Sequence, residues 1–302
     1  MKFRKYIYTL IFALIIAGCS EISEDQRRPV DTAAPDSDIV IIGTFNIQWL
    51  GDGVRDRKDR TSEDYKLIAE TITESGADIL ALQEIENDEA LFRILKYLPD
   101  YSFYCGDGGR ALNTAVIFRK NMQVDFLGEY TQLQYDRYQR PGLIVRCKYG
   151  NFDWLMMVVH FKSTSRYDDT PEKLMRSRTI RAYQAEIASR WADSVLAAGN
   201  EEDVLILGDF NDTPRRKKNP TLQGMLSNDN LNFITTDLKS CKFPAMYVID
   251  HIVVSDTAMI RLLEGSAHVH DFNRVYPKEE AKDISDHCPV LAVFDISLPD
   301  ND

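Results

Sequence analysis

YSFYC (101–105), NTAVIFRK (113–120), VDFLGEYTQL (124–133) and PGLIVRCKY (141–149) follow one another with only short polar turns between them. Each is rich in the β-branched and aromatic residues that suit strands. The connections are too short for crossover helices, so these strands do not belong to a purely parallel, doubly wound sheet. Two mixed β-sheets packed face to face with helices outside, a four-layer α/β sandwich, accommodate them better. Periodicity alone does not choose that fold.

Working outward, the flanks alternate strand and helix. IVIIGTFNIQWL (39–50) is apolar enough for a sheet interior. In EDYKLIAETITESG (63–76), Tyr65, Leu67, Ile68 and Ile72 recur at helical spacing and Gly76 ends the helix. ADILALQEIEN (77–87) predicts a strand, and DEALFRILKYL (88–98) a short helix before Pro99. FDWLMMVVHFKS (152–163) predicts a central strand. A long helix over 172–198 follows, with Ile180, Tyr183, Ile187, Trp191, Val195 and Leu196 as its inward stripe. VLILGDFND (204–212), VIDHIVVSD (248–256) and ISDHCPVLAVFDISL (284–298) supply the remaining strands.

The chain has 302 residues, with 36 Lys+Arg against 47 Asp+Glu and a formal net charge of -11. That balance argues against loose, charge-driven binding to a polyanion, while leaving room for an enzyme whose bound cations handle phosphate locally. The first residues stand apart. Lys2, Arg4 and Lys5 precede an apolar run too short for a comfortable membrane span, ending in Ile16-Ala17-Gly18-Cys19. This resembles the lipobox of bacterial lipoproteins. The resemblance implies a signal peptide over 1–18, lipidation of Cys19, and export to the cell envelope, with the outer membrane favoured by Ser20. Residues 19–38 hold almost nothing to bury and read as a flexible tether. Residues 39–298 form the globular domain. After Cys19, Cys105, Cys147, Cys241 and Cys288 allow three full pairings and lack CxxC spacing, so no disulfide is assigned and a zinc cluster is poorly supported.

The apolar strands repeatedly run into short polar clusters. Asn46 lies in TFNIQW, Glu84 in ALQEIEN, His160 in VVHFKS, Asp209 and Asn211 in LGDFND, and Asp250 in VIDHI. Asp286 and His287 immediately precede the last strand. Each cluster alone is weak, since Asp, Asn and Gly are also what turns are made of. Together they are rich in carboxylate and amide oxygens, which suit Mg²⁺ or Mn²⁺ acting on phosphate.

In this order, FNIQW, QE, RPGLIVR, VVHFKS, GDFND, IDHI and SDH resemble the motifs of the endonuclease/exonuclease/phosphatase superfamily, the DNase I-like enzymes, over roughly 39–298. The resemblance implies a DNase I-like fold and a divalent-metal-dependent phosphodiesterase. Glu84 would be the principal metal ligand, with Asn46 beside it and Asp286 opposite. His287 would be the general base, Asp209 would orient the attacking water, and Asn211 and His160 would contact the scissile phosphate. Asp250 would hold His160, and Arg140 would clamp a phosphate oxygen, although Arg137 and Arg146 compete for that role. The cofactor expected is Mg²⁺, with Mn²⁺ or Ca²⁺ as alternatives.

The core does not choose among DNA, RNA, lipid phosphodiesters and inositol phosphates. HFKS followed by LMRSRTIRAYQAE (174–186) resembles secreted bacterial nucleases, with Arg166, Arg176, Arg178 and Arg181 available for phosphates beyond the cleavage point. Tyr130, Tyr135 and Tyr138 could stack on bases, and RRKK (215–218) could touch a backbone or merely be a solvated loop. The expectation is a nuclease, too acidic to hold polyanions by net charge alone, acting as a monomer with no protein partner evident. A sphingomyelinase-like enzyme, with FLGEYTQLQY (126–135) as a bilayer contact, is the enzymatic alternative, ahead of an inositol-phosphate phosphatase. A non-enzymatic binding lipoprotein would need a lost base or metal ligand, and neither is missing.

Overall fold

The computed structural model describes residues 37–300. The expected signal peptide, Cys19 and all but the end of the tether lie outside the described residues. In chain order the domain runs β1 (Ile39–Leu50), α1 (Ser62–Ser75), β2 (Ile79–Ile85), α2 (Asp88–Leu95), β3 (Tyr101–Cys105) and β4 (Asn113–Arg119). Next come β5 (Gln123–Tyr130), β6 (Gly142–Tyr149), β7 (Phe152–His160), α3 (Pro171–Ala198), β8 (Val204–Asp209) and α4 (Gln223–Leu226). The chain finishes with β9 (Leu231–Phe233), β10 (Asp250–Ser255), α5 (Asp256–Arg261), β11 (His268–Val269), α6 (Lys278–Ile284) and β12 (Val290–Asp295).

The strands form two six-stranded sheets, ordered β11-β12-β1-β2-β4-β3 and β5-β6-β7-β8-β10-β9. Both are mixed: β1–β2 and β7–β8 pair in parallel, the other neighbours antiparallel. Alternation along the strands sorts side chains into three apolar layers. Val40 and Ile42 of β1 meet Trp154, Met156, Leu205 and Leu207 between the sheets. Phe45 and Ile47 face α1, α2 and α6 on one outer side, and Val159 and Ile206 face α3 and α4 on the other. The result is the four-layer α/β sandwich expected from the strand run. Among the described residues, no helix is long and apolar enough to cross a membrane.

Helix ends follow local chemistry. Thr61 and Asp64 form a capping box at the start of α1, and Gly76 closes it in the left-handed conformation. The face of α3 is the expected one, with small residues filling its centre. Ile180, Gln184, Ala185, Ala188, Trp191 and Ala192 are buried, whereas Tyr183, Ile187, Val195 and Leu196 are only partly so. Small residues dominate the seam because α3 lies close against the sheet, and larger apolar groups flank it. Elsewhere the strand of 248–256 stops at Ser255, where that side chain caps α5. The final strand begins only at Val290, after Pro289, which has no N–H to give the ladder, and Cys288 is tied by a disulfide to Cys241. Cys105 and Cys147 remain free thiols.

Strand direction and register determine where the polar ends go. Thr44 pairs with Val290, Asn46 with Gln83, and Asn113 with Ile85. In the other sheet Leu143 pairs with Val158, His160 with Asp209, and Asp209 with Asp250. The loops after β1, β2, β3, β5, β7 and β8, and those before β10 and β12, therefore emerge at one end of the sandwich.

Candidate active site

Glu84 reaches this end through a break in alternation. Ile79 and Ala81 face the space between the sheets, and Leu80 and Leu82 face the helices. By that alternation Ile85 should face the other sheet, yet it packs with Leu82. The ladder shifts between Gln83 and Ile85, and Glu84 takes φ 65°. One extra residue in the strand has re-aimed a carboxylate, as bulges near functional sites do. A matching irregularity ends β1, where Gln48 and Trp49 have φ 52° and 58°. It turns the Trp49 N–H to donate to Glu84 Oε2 at 3.0 Å.

Asn46 sits between the two sheets' carboxylates. Its Nδ2 donates to Asp209 Oδ2 at 3.1 Å and lies 3.4 Å from Glu84 Oε1, while its Oδ1 accepts from Gln48 N. Asp209 Oδ1 accepts from Asn211 N at 2.8 Å, and Asn211 Nδ2 donates to the Phe161 carbonyl. Gly208 lets β8 approach this closely: at φ 152° a Cβ there would fall 1.9 Å from the Val159 carbonyl oxygen.

His160, Asp209 and Asp250 occupy paired positions on three neighbouring strands. This corrects the expected partner of His160. Strand β8 intervenes, so Asp250 lies two strand spacings from His160, about 9–10 Å along the ladder. His160 Nε2 instead faces Asp209 Oδ2 at 3.5 Å, and Asp250 Oδ2 holds His287 Nδ1 at 2.7 Å. His287 comes from the other sheet. Its backbone N–H donates to Ser285 Oγ, whose hydroxyl donates to the Asn46 carbonyl at 2.7 Å.

Charge and burial separate the roles of these groups. Burial, followed by Asp250, pushes the Asp209 carboxyl up to about 7, against the opposing pull of His287 and the Asn211 and Asn46 donors. Burial pulls the His287 imidazole down, but Asp250, with Asp209 and Asp286, outweighs it and lifts the group to about 10. Burial, then Arg140 and His287, holds His160 well below its ordinary value. His160 is thus neutral, and its contact with Asp209 is not an ion pair. Its Nδ1 is buried without a hydrogen-bond partner among the described residues, as is Asp250 Oδ1.

Arg140 also reaches this end. Its Nε donates to the Leu112 carbonyl at 3.2 Å. Burial lowers its pKa, while Glu84 and Asp209 act in the opposite direction. Asp286 is the least integrated of the expected ligands, with Oδ2 3.3 Å from Lys242 Nζ. By type the expected donors nevertheless suit a hard divalent cation, carboxylates from Glu84 and Asp286 and the amide oxygen of Asn46, which here turns Nδ2 to Glu84 and Oδ1 to the Gln48 N–H. Asp209, Asp250 and His287 place their ligand atoms within 4.8 Å of one another.

Several residues outside the expected set build this arrangement. Arg60 donates to the carbonyls of Ile47, Gln48, Asp283 and Ile284, joining the kink of β1 to the segment before His287. No local pattern marks it. Arg181, expected to be available for substrate phosphate, is buried and binds Thr221 Oγ1 and the carbonyls of Lys162 and Asn211. Arg176 pairs with Asp136, and in RRKK Arg215 and Arg216 pair with Asp237 and Asp212, leaving Lys217 and Lys218 exposed. Asp212 shapes its loop, accepting from Thr221 N and Oγ1.

Comparison with known proteins agrees with this fold. The Endonuclease/Exonuclease/phosphatase family profile matches residues 43–287. No curated protein sequence matches the chain. Among solved structures, truncated Caenorhabditis elegans TDP2 is 19% identical with a TM-score of 0.60, covering 85% of this chain and 97% of that one. D. rerio TDP2 complexed with single strand DNA product is 15% identical with a TM-score of 0.62, covering 85% and 99%. A Bacteroides thetaiotaomicron mannosyl-6-phosphatase is 16% identical with a TM-score of 0.55, covering 84% and 98%. At these identities the likeness is one of fold.

Proposed function

The chain belongs to the Endonuclease/Exonuclease/phosphatase family, a family of metal-dependent phosphoesterases, and from that premise we propose that it is a nuclease that hydrolyses phosphodiester bonds in DNA or RNA. One arrangement carries this reading: the Asp250–His287 pair stands beside Asp209, and Asn46 bridges Asp209 to Glu84. A Mg²⁺-like ion held by Glu84, Asn46 and Asp286 would stabilise charge on the phosphoryl oxygens and lower the pKa of nearby groups, His287 among them.

The protein's own groups divide the remaining work. Asp250 occupies Nδ1 of His287, so in the neutral imidazole Nε2 is the nitrogen free to take the proton of an attacking water, and the resulting imidazolium is the form that Asp250 stabilises. Asp209 orients that water, and its Oδ1 is itself fixed by the Asn211 N–H. Neutral His160, Asn211 and Arg140 line the phosphate side. Arg140 adds permanent positive charge where negative charge develops.

The test is hydrolysis of plasmid DNA, RNA, sphingomyelin and a phosphorylated sugar by the purified protein with Mg²⁺, Mn²⁺ or EDTA. Metal-dependent cleavage of nucleic acid, lost in His287→Ala, is expected. Turnover of lipid or sugar phosphate without DNA or RNA cleavage would overturn the nuclease assignment.

We also propose that residues 1–18 direct export and that lipidated Cys19 anchors the domain to the cell envelope at the outer membrane. Cys19→Ser should release the protein from membrane fractions; unchanged firm attachment would count against lipidation.

A further inference from the structure

Two loops beside Arg140 carry positive charge that the protein does not neutralise. They are 106–112, between β3 and β4, and 131–141, between β5 and β6. Both emerge at the active-site end. They are bonded to each other: Arg140 Nε donates to the Leu112 carbonyl, and Gln134 Nε2 to the Gly108 carbonyl at 3.2 Å. Gln134 Nε2 also donates to the Gln139 carbonyl, and Asp136 Oδ1 accepts from Tyr138 N. Arg110 and Tyr138 each lie two residues from the Leu112–Arg140 bond.

At this wall the Tyr138 ring is 54% exposed, with Arg110 5.1 Å and Arg137 5.0 Å from its centroid. Arg137 Nη2 also donates to the Tyr138 hydroxyl at 2.9 Å. Both arginines are exposed, and neither has an ion-pair partner among the described residues. The nearby acids are turned elsewhere. Asp136, adjacent to Arg137, pairs with Arg176 at 2.9 Å, and Glu129 accepts from the Gly108 N–H at 2.9 Å. Among other exposed arginines, Arg190, Arg215 and Arg274 find carboxylates, while Arg57 and Arg166 each lie over a single aromatic ring, Trp49 and Tyr167; only at Tyr138 do two arginines share one ring among the described residues.

We infer that Arg110, Arg137 and Tyr138 form a nucleotide subsite beside the catalytic phosphate position, taking a second phosphate of a nucleic-acid strand on the guanidinium groups and its base against the phenol. The chemistry selects that ligand. Guanidinium groups bind phosphate through several donors, and an exposed aromatic ring adds base stacking that tolerates any sequence. The subsite rests on the nuclease reading. It explains how an acidic protein can hold a polyanion: through a local, pre-positioned basic wall rather than net charge.

The experiment compares wild type, the double variant Arg110→Gln/Arg137→Gln, and Tyr138→Ala. Each is assayed with Mg²⁺ on bis(4-nitrophenyl) phosphate, which has one phosphate and no nucleotide, and on a fluorescent single-stranded oligonucleotide. Oligonucleotide binding is also measured by anisotropy in EDTA across a salt series. The arginine variant should raise the oligonucleotide KM and Kd about tenfold or more and reduce the salt slope by about two. Tyr138→Ala should weaken oligonucleotide binding about fivefold or more with an unchanged slope. In every variant the oligonucleotide's kcat/KM should fall at least about fivefold further than the small ester's. Unchanged oligonucleotide binding, or equal losses on both substrates, would overturn the subsite alone. Wild type that hydrolyses the small ester but neither binds nor cuts oligonucleotides would overturn the nuclease reading as well.

Discussion

Asp250 Oδ2 lies 2.7 Å from His287 Nδ1, joining the start of β10 in one sheet to the segment before β12 in the other. The contact supports a charged His287 against the cost of its burial. Asp250→Asn should lower the His287 pKa from about 10, because the burial penalty is then unopposed by its carboxylate partner. Hydrolysis should fall by about 10³- to 10⁴-fold, the scale on which a catalytic histidine depends on its orienting carboxylate. An NMR titration of His287 alongside steady-state rates checks both; an unchanged titration would remove the pair from the mechanism.

Arg60 ties four carbonyls from two separated segments together. Arg60→Ala should destabilise the fold by about 2–4 kcal/mol, since carbonyls in a partly buried setting lose their donor. The Trp49 amide that orients Glu84 should also loosen. Urea unfolding reads the first effect. A higher Mg²⁺ concentration for half-maximal activity, with little change in substrate KM, reads the second.

His251 is fully buried and neutral: its Nε2–H donates to the Asp212 carbonyl, and Nδ1 accepts from Thr235 Oγ1. Burial lowers its pKa from 6.5 to about 4, against the opposing influence of Asp250 and Asp212. The unfolded imidazole therefore takes up protons first as pH falls. The stability this group contributes is fully present above pH 6.5 and lost as pH drops toward 4, by about 3 kcal/mol. Urea midpoints measured from pH 7.5 to 4 should fall steeply in wild type and less steeply in His251→Gln.

The Cys241–Cys288 disulfide closes a span of 47 residues immediately beside His287. In the chain-entropy account a loop of that length is worth about 4 kcal/mol. Cys241→Ser/Cys288→Ser should therefore lower thermal stability, measured by calorimetry without reductant. It should also free Lys242 from Asp286, detectable as a change in the salt dependence of the rate.

Much of the fold was legible because strand and helix periodicity are local. Residues 39–50, 101–105 and 113–119 read as strands from composition alone, and Gly76 marked the end of α1. The large apolar residues of α3 marked its inward face, but not that Gln184, Ala185, Ala188 and Ala192 fill the seam where the helix approaches the sheet. Tyr138 stood with Tyr130 and Tyr135 as a residue that could stack on bases, but the unpaired state of Arg110 and Arg137 was not legible: it depends on Asp136 being engaged by Arg176.

The sequence by itself determined which chemical groups would gather, since apolar strands running into Asn46, Glu84, His160, Asp209, Asp250 and His287 must all end in polar loops. Only the tertiary structure decided who meets whom. Asp250 serves His287 because β8 separates it from His160, and Glu84 turns toward Asn46 because a single residue bulges from β2. Strand order and register are agreements between segments far apart in the chain, and no local pattern carries them.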